Sequence, residues 1–483
     1  MKLKSPIRVV LEVTDKCNYC CTHCFNSSSP TICTSQELNT KAWKKILKEL
    51  SVLEVFEVSF TGGEPFMRED IFELLSYAYK LGFFITLNTN GSLLNDKKIK
   101  QLKNIFKKDA NLVRIMFSLN TLDIKNFKKI TNSSFSPSNI VANMNKLSEE
   151  GFNVTMTSIF MKRTIRDYPD LLEYFLKSKV KIWNISAVIP YGRGINHNLF
   201  NPSEKDWKSL INFFEKNKKK VEIMGKKISI QANIFNLFSN KEDSTCFNCP
   251  AGKTEMSIDS KGNPNPCISF GENSKDDSKK IKHYWDRNNL LYTLRNKNES
   301  QLSGPCIKCN FKKYCLGGCP ALALRNFNSI TMPDPRCPFL PEIINISQDK
   351  TFKNFILRLT KENMQGYYPD WKPINKEIEK EFLNKKNKTW LIKKKSLNLG
   401  YILFCEEFPN IFIDSIQIKK KYQGEGYGSL VLKKLESYAI KNKFKKIYLK
   451  VKKINKLAIR FYENLEYKIE KKEDDNLFLY KNL

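Results

Sequence analysis

Apolar and polar positions in the first half of the chain form short β-branched runs separated by helical stretches. Ile7–Val13 opens the series, and Val58-Ser-Phe60, Phe84–Asn90, Leu112–Ser118, Asn153–Ser158 and Lys181–Ser186 follow as strand-like segments. Near the other end, Asn410–Ile418 alternates as a half-buried strand does. It is followed by an amphipathic helix over Ser429–Lys441, a strand over Lys446–Val451, a helical stretch around Asn455–Glu463 and two short strands. A polar joint at Asn345–Lys350 separates this last segment from the rest. No run approaches the ~18 uninterrupted apolar residues of a membrane helix, so no membrane insertion is expected. The basic start lacks the long apolar core and cleavage site of a secretory signal peptide.

The length of 483 residues suggests two to four domains at roughly 150 residues each. Hydrophobic residues at 41% and charged residues at 27% describe a globular protein with real cores. The net charge of +32 would normally point to nucleic acid. Here it comes almost wholly from scattered lysines, with only about a dozen arginines. Arginine is the preferred group for bidentate phosphate and base recognition, so no specific nucleic-acid partner is expected. The 14 cysteines differ, because they are grouped. Grouped cysteines in a long chain point to metal or redox chemistry and not to a disulfide framework.

Cys17, Cys21 and Cys24 form C-x3-C-x2-C on the loop after the first strand. Three thiolates can hold three irons of a [4Fe–4S] cube and leave the fourth open. Zinc sites usually take four protein ligands. Cys20 lies between two of these ligands, and His23 reads as a packing neighbour. Further on, Val58–Thr61 runs into Gly62-Gly63-Glu64-Pro65, where paired glycines permit close backbone approach and Glu64 offers a carboxylate to an ammonium group. With these two motifs in order, residues 5–235 resemble the radical S-adenosylmethionine enzymes. The resemblance implies a partial (β/α)6, TIM-like barrel within an α/β fold. It also implies that the open iron chelates S-adenosylmethionine and that the glycine turn binds its amino group. Asn88, Asn90, Ser118 and Asn120, at strand C-terminal ends, become candidate site residues, and Pro190-Tyr-Gly-Arg193-Gly194 resembles the family's last strand exit.

Between residues 246 and 337 come eight more cysteines. Cys249, Cys267, Cys306, Cys309, Cys315, Cys319 and Cys337 reproduce the seven-cysteine spacing of the SPASM extension. That resemblance implies two auxiliary [4Fe–4S] clusters, one on Cys249, Cys267 and Cys319, the other on Cys306, Cys309, Cys315 and Cys337. Cys246 lies outside the pattern and either completes the first cluster or stays free for substrate. A zinc ribbon is the alternative for the C-x2-C pairs, but it leaves the N-terminal triad unexplained.

In the last segment, Gln423-Gly424-Glu425-Gly426-Tyr427-Gly428 lies between a strand and a helix, an arrangement that makes an anion site of backbone N–H groups. With the elements that follow, residues 350–483 resemble a GNAT acetyltransferase of α/β fold. By that resemblance Gln423, Gly424, Gly426 and Gly428 hold the pyrophosphate of acetyl-coenzyme A, Asn455 orients the cofactor, and Tyr462 protonates the departing thiolate. Asp414 is the candidate base.

The expected architecture is a radical core over 1–235, a small Cys-rich auxiliary-cluster domain over 236–343 and the acetyltransferase over 350–483. The cofactors are three [4Fe–4S] clusters, S-adenosylmethionine and acetyl-CoA. The resemblance further implies a ribosomally made peptide substrate joined by thioether or carbon–carbon crosslinks, a flavodoxin or ferredoxin-type electron donor, and a cytoplasmic location. Because the cluster loop begins by Cys17, no leader-binding domain is expected before it, and peptide recognition would fall to another protein or the C-terminal domain. Alternatives are formylglycine formation, disfavoured by Ile268 after Cys267 where an acidic residue is expected, and radical chemistry on a small molecule. The C-terminal domain could instead be a non-catalytic binding module.

Overall fold

The structure, a computed structural model, describes residues 3–195, 202–231, 249–271, 280–367 and 371–483. The chain divides into two compact units, Met1–Lys297 and Asn298–Leu483.

The first unit is built on a nine-stranded sheet in the order β7-β6-β5-β4-β3-β2-β1-β8-β9. The strands are β1 (Arg8–Glu12), β2 (Glu57–Thr61), β3 (Phe84–Thr89), β4 (Val113–Ser118), β5 (Asn153–Phe160), β6 (Ile182–Ala187), β7 (Lys227–Gln231), β8 (Glu255–Ile258) and β9 (Pro264–Asn265). Successive strands from β1 to β7 pair in parallel, with helices between them, and β8 joins β1 in parallel on the other side. Only β9 runs antiparallel to its neighbour. This is the strand–helix alternation of an α/β barrel, and the sheet stays open: among the described residues no pairing joins β7 to β9. The sequence decides these elements locally. β1 is buried at Val9, Val10, Leu11 and Glu12, as suits a parallel strand covered on both faces. The helix Thr40–Val52 starts where the Asn39 side chain accepts from Ala42 N, and it buries Trp43, Leu47 and Leu50 on one face.

The second unit carries a seven-stranded sheet, β10-β11-β12-β13-β14-β16-β15. Its strands are β10 (Glu342–Asn345), β11 (Asn387–Lys394), β12 (Leu397–Glu407), β13 (Asn410–Ile418), β14 (Lys446–Lys452), β15 (Lys468–Glu473) and β16 (Asn476–Asn482). Pairing is antiparallel except between β13 and β14, which run parallel and pair only over Asn410–Ile413 and Lys446–Leu449. On one face the helix Tyr427–Lys441 buries Val431, Leu432, Leu435 and Ala439 against Ile402, Phe404, Ile411 and Leu449. On the other, Ile356 and Leu359 pack with Tyr401, Leu403 and Phe382.

The cysteine-rich stretch contributes to both sheets. Residues Glu255–Asn265 extend the first, and Glu342–Asn345 extend the second. Cys249 and Cys267 therefore belong to the first unit, and Cys306, Cys309, Cys315, Cys319 and Cys337 to the second. Cys246 lies outside the described residues. Among those described, no helix is long and apolar enough to cross a membrane.

Candidate active site

The cysteine loop leaves the C-terminal end of β1 and is anchored at several points. Glu37 accepts from Thr14 Oγ1 at 3.0 Å and from Asp15 N at 2.7 Å. Cys17 N donates to Ser29 O, while Cys20 N and Thr22 N donate to Thr131 O and Ile130 O at the end of the helix Ile124–Thr131. Cys17 is buried; Cys21 and Cys24 are partly covered.

The three thiols are neighbours. Burial pushes the Cys17 thiol up to about 12, with further upward pressure from Glu64 and Cys24. Burial likewise raises Cys21, with Cys17 and Cys24 adding to the effect. Buried thiols that repel one another as thiolates are a donor set that a polycationic cluster would relieve. Among the described residues no three His, Cys, Asp or Glu groups converge tightly enough for a single metal ion. Three mutually repelling thiols have the donor chemistry that a [4Fe–4S] cluster takes, one thiolate to each of three irons.

The glycine turn meets this loop through its backbone. Gly63 N donates to Thr14 O at 2.6 Å, and Glu64 N to Lys16 O at 2.9 Å. A Cβ at Gly62 would lie 2.2 Å from Thr14 O, and one at Gly63 2.2 Å from Lys16 O. The paired glycines are thus required first for contact with the cysteine loop. Glu64 is fully buried and accepts from Thr89 Oγ1, Phe66 N and Asn90 N at 2.8, 3.2 and 2.7 Å. Burial outweighs these donors and pushes its carboxyl up to about 7. Pro65 is buried at the start of a short 3-10 turn, Pro65–Met67. The Asn90 amide donates to Asn18 Oδ1 at 2.9 Å and reaches Cys17 Sγ at 3.8 Å. Cys17, Glu64 and Asn90, from three separate strand ends, therefore come together. Ser118 ends β4 and is exposed. Asn120 Oδ1 accepts from Ile159 N, and Asn88 donates to Ser59 and Phe60, so both serve the sheet itself.

His23 is buried and its Nδ1 has no partner; burial, then Arg193, lowers its pKa to about 4, so the ring is neutral. Arg193 reaches the cysteine loop through its guanidinium, a contact for which a lone arginine between two glycines is the only sequence signal.

In the second unit the thiols of Cys306, Cys309, Cys315 and Cys337 also come together. Burial pushes Cys315 up to about 11, aided by Asp334 and Cys309, and Cys337 is raised by burial with Cys315 and Cys306 adding to it. Between them lies an ion pair that sequence reasoning missed. Arg336 Nε and Nη2 donate to Asp334 Oδ1 and Oδ2 at 3.0 and 2.7 Å, and Asp334 Oδ2 also accepts from Cys319 N. The pair is almost entirely removed from solvent, with side chains 9% and 3% exposed.

The acetyltransferase-like site is set by a bulge. Leu403 pairs with Ser415 and Phe404 with Ile413, which leaves Asp414 as the extra residue. A bulge bends and twists its strand, and at this point β13 parts from β14. Asp414 is exposed on one side. Partial burial, then repulsion from Glu381, Glu407 and Glu377, pushes its carboxyl up to about 7. Gln423 Nε2 donates to Ile418 O, tying the glycine turn to the end of β13. Gly424 and Gly426 have φ of 73° and 79°, which the turn into the helix requires. Gly426 also lies against Gly304, where a Cβ would come 2.1 Å from the carbonyl carbon, and a Cβ at Gly428 would meet the Phe461 ring at 3.0 Å. Asn455 caps its own helix, Lys456–Glu463, by accepting from Ala458 N. Tyr462 is buried and its phenol is raised well above its ordinary range by burial.

Residues 11–175 match the Radical SAM superfamily, and residues 355–467 match the Acetyltransferase (GNAT) family. The chain therefore carries a radical SAM domain followed by a GNAT domain, and it is an enzyme. A radical SAM domain implies a [4Fe–4S] cluster and S-adenosylmethionine. The relatives narrow the comparison further. The PqqA peptide cyclase of Bradyrhizobium diazoefficiens is 22% identical over 70% of this chain and 87% of its own length. The mycofactocin maturase MftC of Mycolicibacterium smegmatis is 26% identical over 69% of this chain and 83% of its own. The AdoMet-dependent heme synthase of Methanosarcina barkeri is 22% identical over 70% and 97%. Streptococcus suis SuiB, solved with bound S-adenosylmethionine, superposes with a TM-score of 0.57 at 20% identity, covering 70% of this chain and 78% of SuiB. At that identity the likeness is one of fold.

Proposed function

We propose that the chain is a radical S-adenosylmethionine maturase of ribosomally made peptides, with an acetyl-CoA-dependent N-acetyltransferase in the same polypeptide. The observation that carries the first part is the meeting of Cys17, Cys21 and Cys24 with Glu64 and Asn90 at the end of β1. Cys17, Cys21 and Cys24 would hold a [4Fe–4S] cluster, which when bound would supply one electron for reductive cleavage of S-adenosylmethionine into methionine and a hydrogen-abstracting 5′-deoxyadenosyl group. The chain's own residues do the positioning. Glu64 is fixed by three donors, and its one remaining lone-pair site, on Oε2, suits an ammonium group. Asn90 orders the loop around Cys17.

A peptide substrate is supported by the likeness to a PqqA peptide cyclase and a mycofactocin maturase. Thioether or carbon–carbon crosslinking is the reaction class. Cys306, Cys309, Cys315 and Cys337 are proposed to hold one auxiliary cluster, and Cys249 and Cys267 to serve another. The proposed divisions are 1–235 for the radical core, 236–343 for the auxiliary segment and 350–483 for the acetyltransferase. A flavodoxin or ferredoxin-type donor would supply electrons. Likeness to a heme synthase favours a second reading, radical chemistry on a small molecule.

Anaerobically reconstituted protein is expected to carry about 12 iron atoms per chain, as three cubes. With dithionite it should convert S-adenosylmethionine to methionine and 5′-deoxyadenosine. Zinc in place of iron, or no cleavage, overturns the radical reading. A mass change in a short Cys- or Lys-containing peptide encoded beside the gene separates the peptide reading from the small-molecule one.

A further inference from the structure

The segment from Cys21 to Ser28 contains the second and third thiols of the loop and few hydrogen bonds of its own. Cys24 N donates to Cys21 O at 3.2 Å, the upper end of the ordinary range, and Ser27 N to Cys24 O at 3.4 Å, beyond it. The anchors described above hold the stretch from Cys17 to Thr22. Beyond Thr22, carbonyls converge on a residue more than 160 positions away in sequence. Arg193 Nε donates to Cys21 O at 2.8 Å, Nη1 to Ser27 O at 2.7 Å and Nη2 to Ser28 O at 2.6 Å. Its backbone N donates to Cys24 O at 3.0 Å.

The flanking glycines make this approach possible. Gly192 has φ of 55°, and a Cβ there would lie 2.2 Å from Phe25 O; a Cβ at Gly194 would lie 3.0 Å from His23 O. The short turn Gly192–Ile195 follows β6, so the sixth strand of the parallel series sends its exit back to the loop after β1. A planar guanidinium presents donors in fixed directions and can serve three carbonyls at once. A lysine ammonium is a compact point charge on a flexible stem and lacks that fork. Without the arginine, three carbonyl dipoles would point at one another around a gap.

We propose that Arg193 is a positioning residue for the cysteine loop, whose guanidinium fork holds Cys21 and Cys24 where a cluster can join them to Cys17. The role in cluster binding rests on the radical reading; the bracing of the loop is a property of the metal-free chain. Arg193 touches no reacting atom.

The test uses the full-length protein with Arg193→Lys and Arg193→Gln, and Arg358→Gln as a control in an exposed pair with Glu362. In the metal-free state, the amides of Cys24 and Ser27 should exchange hydrogen at least about tenfold faster in both Arg193 variants, with the β2 and β3 amides unchanged. After anaerobic reconstitution, both should lose about four irons per chain. Both should also lose the change that S-adenosylmethionine makes in the EPR spectrum of the reduced N-terminal cluster. Failure of lysine to rescue identifies the fork over the charge. Wild-type exchange and wild-type iron in both variants overturn the proposal, and so does full rescue by lysine. Should the wild-type chain bind no iron, the radical reading falls, and the metal-free exchange still decides whether Arg193 braces the loop.

Discussion

At Tyr462 and Asp414 the surroundings of a single side chain set its protonation state. Burial keeps the Tyr462 phenol protonated across the physiological range, which is the state a proton donor to a thiolate must hold. Tyr462→Phe is expected to lower acetyl transfer at least about 100-fold with coenzyme A affinity unchanged, as read by initial rates and calorimetry. Failure of the parent protein to bind coenzyme A would remove the acetyltransferase role. Asp414 behaves differently, because its carboxyl is raised to about 7 by partial burial and acidic neighbours. In the folded chain it stays protonated at pH values where the unfolded chain has released its proton. Its contribution to stability is therefore present in acid and is lost as pH rises through about 7. Asp414→Asn should remove that dependence, raising the melting temperature at pH 8 while leaving it near the parent's at pH 4. If Asp414 is also the base, acetyl transfer by the parent rises through the same pH range, and the variant loses that rise.

Among the elements, two turns carry more than their sequence shows. Gly63→Ala would place a methyl 2.2 Å from Lys16 O, on the loop that bears Cys17. It is expected to cost about 1–3 kcal/mol and to reduce iron uptake, as seen in parallel melting and iron assays. The Asp334–Arg336 pair fixes the turn between Cys319 and Cys337. Asp334→Ala leaves a buried guanidinium without its carboxylate, so a loss of about 3–5 kcal/mol is expected. Replacing both members with apolar residues should cost less, and denaturant titration of the single and double variants distinguishes the outcomes.

For the whole molecule, the charge of +32 is dispersed over lysines, many of them in surface pairs such as Lys177–Glu173 and Lys208–Glu204. Binding to duplex DNA should therefore be weak and without sequence preference, and should disappear between about 50 and about 200 mM salt. Sequence-selective binding that survives that range would restore nucleic acid as a partner. The two-unit division also locates Cys306, Cys309, Cys315 and Cys337 in the same compact body as the C-terminal sheet, joined through β10 to β11 and through Leu430 packed with Ala323, Phe327 and Met332.

The sequence by itself determined β1 to β6 of the first unit, both glycine turns and the cysteine groups, while β7, β8 and β9 went unassigned. Those signals are local: continuous apolar runs, capping residues and fixed spacings act within a few positions. β11 and β12 went unassigned, because Asn387–Lys394 carries Lys388, Lys393 and Lys394 and gains its burial only from pairing on both sides. Tertiary structure alone decided what Gly62, Gly63 and Gly426 approach, and that Asp414 lies on a bulge. It alone brought Arg193 to Cys21, and it divided the cysteine-rich stretch between two sheets. Such contacts depend on pairings and close approaches between residues tens to hundreds of positions apart. No local pattern encodes them, and they exist only once the sheets have formed.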